Sequence, residues 1–238
     1  MIQEVVAIVD RSGSMSGKEA DTIGGINSTI QELKNNKNDN EIIKFSVKFF
    51  DHEEYIKIRS LNIENVTQLD AKDLIPRGQT ALLDAIGSTI RFFIDKKKYD
   101  PNSYNTCLIY IATDGFENCS KKFRHEDIKN LIKESKNYSI EILYLGANQD
   151  AIFEARKFGL DTEQAMNYDE TTENINSAFR SAANAAKRYR SGESPAFLIP
   201  ERTSSVSQNR QNNMLENSAD YLVTRRHSFR KFYGLFSS

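Results

Sequence analysis

Apolar positions fall along this chain in two rhythms. Residues 5–9 (VVAIV), 108–113 (LIYIAT) and 140–145 (IEILYL) are short, nearly unbroken apolar runs. Runs of this kind suit strands covered on both faces. Between them the apolar residues recur at helical spacing. Ile23, Ile26, Ile30 and Leu33 predict a helix over 18–34, and Leu82, Ile86, Ile90 and Phe93 one over 81–97. Residues 126–136 and 150–157 read as shorter helices. Ile175, Phe179, Ala182, Ala186 and Tyr189 place another over 171–189. Residues 42–50 (IIKFSVKFF) and 54–58 read as two strands joined by Asp51, His52 and Glu53. So short a link predicts a hairpin, and hence one antiparallel edge strand. The alternation of strands and helices predicts an α/β fold: a three-layer, doubly wound, mostly parallel sheet with helices on both faces.

Ligands of such sheets bind beyond the carboxyl ends of the strands. The strand ends expected to carry chemistry are Asp10, Asp114 and Gly146, with the turn marked by Pro76 and Gly78 able to reach the same edge.

Composition narrows the class. Of 238 residues, 39% are hydrophobic, and the mean hydropathy of -0.58 suits a soluble globular chain. No apolar stretch approaches the roughly 18–20 residues of a membrane span. The N-terminus lacks the basic start and long apolar stretch of a signal peptide, so a cytoplasmic location is expected. A net charge of -1 favours neither nucleic acid nor a membrane. The two cysteines, Cys107 and Cys119, make no disulfide framework and are expected as free thiols. His52, His125 and His227 lack ligand spacing, so no zinc site is inferred.

The first strand runs into "DRSGSMSGKE", a loop open to three readings. A phosphate loop needs four residues between its glycines and then Lys-Ser/Thr. Here three residues separate Gly13 from Gly17, and Glu19 stands where the hydroxyl should be. An aspartyl nucleophile is usually followed two residues on by an acid that protonates the leaving group; here that position is Ser12. A metal site fits best. Asp10, Ser12 and Ser14 alternate along the loop and offer hard oxygen donors, which suit Mg²⁺, Mn²⁺ or Ca²⁺. One loop cannot complete the coordination, and Thr80 and Asp114 are placed to supply the rest.

Taken together, "DRSGS", "GQTALLDAI" and "IATDG" resemble the three parts of the metal-ion-dependent adhesion site (MIDAS) of von Willebrand factor A-type domains. That pattern is Asp-x-Ser-x-Ser, then a Thr, then an Asp usually followed by Gly. The resemblance covers roughly residues 1–190. It implies Ser12, Ser14 and Thr80 as hydroxyl ligands, Asp10 and Asp114 as carboxylates, and an open metal position that accepts an Asp or Glu from a partner protein. Two carboxylates balance a divalent ion formally, and neutral hydroxyls leave it electrophilic. Magnesium is the expected ion, with Mn²⁺ or Ca²⁺ as alternatives. The resemblance is to small intracellular or phage-encoded members, and it implies an interaction module that is not an enzyme. Gln79 departs from the pattern, standing where many members have a second Gly.

Several residues admit two readings. Glu117 is read as a solvated loop charge, with an acid that supports the metal ligands from behind or faces a partner as the alternative. Asp84 either orients the threonine loop or is an ordinary surface acid. From 191 the composition turns polar, and residues 191–238 read as a linker and tail, partly disordered or docked on the domain or a partner. Residues 219–236 mix Arg and Lys with Phe and Tyr. This leaves an RNA-binding alternative through phosphate contact and stacking. A metal-dependent phosphoryl-transfer enzyme using Asp10 is the third and weakest reading.

Overall fold

The computed structural model of the protein describes residues 1–147 and 151–206. Six strands form one sheet: β1 (Ile2–Asp10), β2 (Ile42–Phe50), β3 (Glu54–Asn62), β4 (Thr106–Thr113), β5 (Ile140–Ala147) and β6 (Ala165–Tyr168), in the order β3-β2-β1-β4-β5-β6. Among the described residues only the β2–β3 pair is antiparallel, as its three-residue link requires, and β3 lies at the edge of the sheet. The helices are α1 (Glu19–Asn35), α2 (Leu82–Tyr99), α3 (His125–Ser135), α4 (Ala151–Lys157), α5 (Thr172–Arg190) and α6 (Ile199–Ser204). Among the described residues no helix is long and apolar enough to cross a membrane.

The apolar runs split between two cores because successive strand side chains point to opposite faces. Val5, Ala7 and Val9 of β1 pack with α1 and α5, whereas Val6 and Ile8 pack with α2, α3 and α4. The stripe Ile23, Ile26, Ile30 and Leu33 joins the first core, and Leu82, Ile86, Ile90 and Phe93 join the second. Each such fully buried side chain contributes about 1.5–3 kcal/mol through removal of apolar surface from water. α1 and α5 approach closely at Gly25, where an added Cβ would stand 2.7 Å from a ring carbon of Phe179.

Three elements differ from the pattern-based expectation. β3 continues to Asn62, past the expected end at 58, through a register shift against β2. The strand at 140–145 is not the last. β6 follows it at the far edge, pairing Met166 with Leu145 in parallel. Four residues (AMNY) are too few to show a period, so this strand is hidden in the sequence. Gly146 is consequently not a strand end. It lies inside β5, between Thr113 and Asn167.

The first compact unit runs from Met1 to Ser205. Beyond α5 the chain stays on it: Phe197 is buried, and Arg188 grips Glu201 at the start of α6 through two hydrogen bonds of 2.9 Å. The basic and aromatic stretch at 219–236 lies outside the described residues.

The chain leaves β1 toward β2 on one side, and β4 lies on the other, so the strand order reverses between β1 and β4. A crevice opens there at the carboxyl ends. Asp10 ends β1, and Asp114 follows the last residue of β4.

Candidate metal centre

Three loops meet over this crevice and are sewn together by their backbones. Gly13 N donates to Gly78 O (3.2 Å) and Arg77 N to Arg11 O (2.9 Å). Thr80 and Asn118 exchange two bonds: Thr80 N donates to Asn118 Oδ1 (2.9 Å), and Asn118 N to Thr80 O (3.1 Å). These bonds tie the loops carrying Asp10, Thr80 and Asp114 to one another.

All five residues singled out in the sequence come together here. Ser12 Oγ lies 3.0 Å from Ser14 Oγ, and Ser14 Oγ donates to Asp114 Oδ1 at 2.6 Å. Asp10 is fully buried. Its Oδ1 accepts from Ser12 N and its Oδ2 from Thr113 Oγ1, each at 2.6 Å. Thr80 is buried on the facing loop. A Cβ built on Gly115 would stand 3.2 Å from Thr80 Oγ1 and 3.5 Å from both Asp10 Oδ2 and Ser14 Oγ. Oxygens of the first two loops thus face the backbone of the third at Gly115, and Asp114 Oδ1 joins them through Ser14. Two carboxylates and three hydroxyls around such a cradle make a donor set of hard oxygens, which fits a small divalent cation and lacks the soft ligands of a zinc-thiolate site.

The electrostatics agree with that donor set. Burial pushes the Asp10 carboxyl up to about 6, against hydrogen bonds from Thr113 and Ser12 that pull it down. A buried carboxylate without a full countercharge is costly, and a cation relieves the cost. Lys18, at the start of α1, reaches the same place. Its Nζ lies 2.5 Å from Asp114 Oδ2 and also donates to Glu170, in the loop before α5. Burial lowers the Lys18 pKa, but the hydrogen bonds to Asp114 and Glu170 outweigh it and hold the ammonium above its ordinary range.

The surrounding residues revise two readings. Glu117 is not a solvated charge. Its carboxylate accepts from Cys119 N, Ser120 N and Ser120 Oγ, and from Leu83 N in the first turn of α2. It pins the loop after Asp114 to that helix start, where a negative charge is favoured. Asp84 is buried, and it accepts from the backbone N–H groups of Lys121, Lys122 and Phe123. It therefore orients the loop following Asp114 rather than its own threonine loop. Gln79 is exposed and takes no part. Thr113, Lys18, Glu170 and Asn118 were not singled out in the sequence. Thr113 had a faint signal: it is the one aliphatic hydroxyl in an otherwise apolar run and directly precedes Asp114.

Asp51, His52 and Glu53 form a second group of potential ligands within reach of one another. Asp51 Oδ2 already lies 3.0 Å from Arg11 Nε and 2.9 Å from Arg77 Nε. Arg77 also pairs with Glu53. Two guanidiniums neutralise this group, which braces the Arg11 and Arg77 loops and offers little to a further cation.

Comparison with known proteins supports the fold. No family model and no curated protein matches this sequence. Among solved structures, a von Willebrand factor type A protein from Catenulispora acidiphila is similar, with a TM-score of 0.57 and 18% identity over 78% of this chain and 43% of that one. The von Willebrand factor domain of the type V pilus tip protein Mfa5 from Porphyromonas gingivalis has a TM-score of 0.55 and 13% identity over 80% of this chain and 95% of its own. Proximal thread matrix protein 1 from the mussel byssus, solved with a zinc-occupied MIDAS motif, has a TM-score of 0.53 and 14% identity over 78% and 46%. The chain spans less than half the length of the first and third of these structures. The chain has the von Willebrand factor A-type fold, a Rossmann-like α/β architecture.

Proposed function

We propose that this chain is a divalent-cation-dependent protein-interaction module, in which Asp10, Ser12, Ser14, Thr80 and Asp114 hold the ion. The observation that carries the reading is the convergence of these oxygens from three loops on the cradle above Gly115. Bound there, the ion supplies an electrophilic position for a carboxylate. The chain's own residues do the rest. Asp10 and Asp114 provide two negative charges, which balance a dication without saturating its attraction for a third carboxylate. Thr113 and Ser12 N fix Asp10 so that it contributes from the floor of the site. Ser14 is exposed at the loop tip and opens the site to a partner's Asp or Glu. Magnesium is the proposed ion inside a cell, since it favours oxygen donors and keeps some of its water. Residues 1–190 form the proposed module.

Ser12, standing where an acid would protonate the leaving group, counts against a phosphoryl-accepting Asp10. No observation on the described residues favours the RNA-binding reading over the carboxylate one.

Asp10→Ala and Asp114→Ala are expected to abolish measurable Mg²⁺ or Mn²⁺ binding by calorimetry and capture of an acidic partner in a magnesium pull-down, while circular dichroism stays that of the native fold. Undiminished ion binding by both variants would remove the assignment.

A further inference from the structure

Asp114 has both carboxylate oxygens engaged, Oδ1 by the Ser14 hydroxyl and Oδ2 by the Lys18 ammonium at 2.5 Å. Its side chain is only 3% exposed, so the Lys18 charge acts there with little screening by water. The same ammonium bonds to Glu170, whose loop leads into α5 through the cap residue Thr171. Lys18 thus bridges one acid of the site and one acid outside the loop motif. We propose that Lys18 is a tethered cation that competes with the divalent ion for Asp114, and that Glu170 is the carboxylate that retains the ammonium when the ion binds. The pair sets how tightly the site holds its ion. This rests on the metal-site reading above.

The charges make the exchange self-consistent. Asp10, Asp114 and Glu170 carry three negative charges and Lys18 one positive. A dication brings the four groups to neutrality, so Lys18 can remain beside Glu170 without leaving an excess. On Asp114 itself, however, an ammonium hydrogen-bonded to Oδ2 and a dication bound by the same carboxylate repel each other at close range. The ion must therefore displace or weaken the Lys18–Asp114 bond. Geometry supports the shift: the ammonium already has its second acceptor in place, and moving onto Glu170 requires no new partner.

The test is calorimetric titration of the full chain with Mn²⁺ and with Mg²⁺ at pH 7.5. Lys18→Gln keeps a polar side chain at a partly exposed position, and it is expected to tighten ion binding about tenfold, a gain of roughly 1.4 kcal/mol. Glu170→Gln is expected to weaken binding, because the ammonium then has only Asp114 to hold. In the double variant the Glu170 effect should vanish. Weaker or unchanged binding in Lys18→Gln overturns the proposal. A Glu170 effect that persists without Lys18 overturns Glu170's part in it, because Glu170 would then be acting on the ion directly. Asp114→Ala separates this from the parent reading. If it binds the ion as the wild type does, the site itself is misplaced and the proposal falls with it. If it abolishes binding while Lys18→Gln changes nothing, only the competition is wrong.

Discussion

At position 115 a single methyl group would press on the oxygen cradle. The Cβ of an alanine would sit 3.2 Å from Thr80 Oγ1, close enough that the hydroxyl must give way slightly, with Asp10 Oδ2 and Ser14 Oγ in ordinary contact at 3.5 Å. Gly115→Ala is expected to push the threonine hydroxyl aside and weaken Mn²⁺ binding about tenfold, roughly 1.4 kcal/mol, with the far-ultraviolet spectrum unchanged; titration calorimetry reads the difference. The five proposed oxygen donors could be picked out in the sequence, because Asp10 and Asp114 stand at strand ends, Ser12 and Ser14 follow on the first loop, and Thr80 lies in the turn that reaches the same edge. The residues that hold them in place were less visible. Glu117 looks like a surface acid in the sequence and Asp84 like either a loop-orienting or a surface acid, since nothing local says which backbone N–H groups across the crevice they accept. Lys18 and Glu170 lie 152 residues apart and meet only because α1 and α5 share one face of the sheet.

Among the elements, the β2–β3 hairpin carries a partly buried charge pair. Lys48 Nζ bonds to Glu54 Oε2 at 2.7 Å, and Ser88 Oγ of α2 donates to the same oxygen at 2.6 Å. Burial raises the Glu54 pKa, but the hydrogen bonds from Lys48 and Ser88 outweigh it and hold the carboxyl below its ordinary value of 4.5. For a carboxylate depressed in this way the stabilisation is present above 4.5 and is lost as pH falls through the lower folded value. Glu54→Gln is therefore expected to cost about 1–2 kcal/mol at pH 7, a modest figure because the pair is partly exposed to solvent. The difference from wild type should shrink as pH falls below 4.5. Urea denaturation above and below that pH checks this, and an unchanged difference would show that the stabilisation is not ionic. The hairpin was readable from its three-residue link. β6 was not: a four-residue strand has no measurable period, and only its pairing with β5 defines it. α6 escaped for a related reason. It is a single short turn anchored by the Arg188–Glu201 pair, not by an apolar stripe.

For the whole molecule, an ion that binds the folded chain alone must stabilise it. At a Mg²⁺ concentration a hundred times Kd the gain is about 2.7 kcal/mol. For a chain of this length that is a rise of roughly 5–10 °C in Tm. Thermal melts in Mg²⁺ and in chelator should show the rise for wild type and none for Asp114→Ala. The sequence by itself determined the layered α/β architecture and the antiparallel edge, because buried strands and amphipathic helices must repeat their apolar residues at periods set by backbone geometry alone. It also singled out the five oxygen-bearing side chains proposed as donors, because Asp10 and Asp114 stand at strand ends, Ser12 and Ser14 alternate with Asp10 along one loop, and Thr80 lies in the turn before α2. The tertiary structure decided the sixth strand, the bracing of the crest loops and the meeting of Lys18 with Asp114 and Glu170. These depend on contacts between segments far apart in the chain, and the period and composition of any one segment carry no information about which distant carboxylate its lysine will meet.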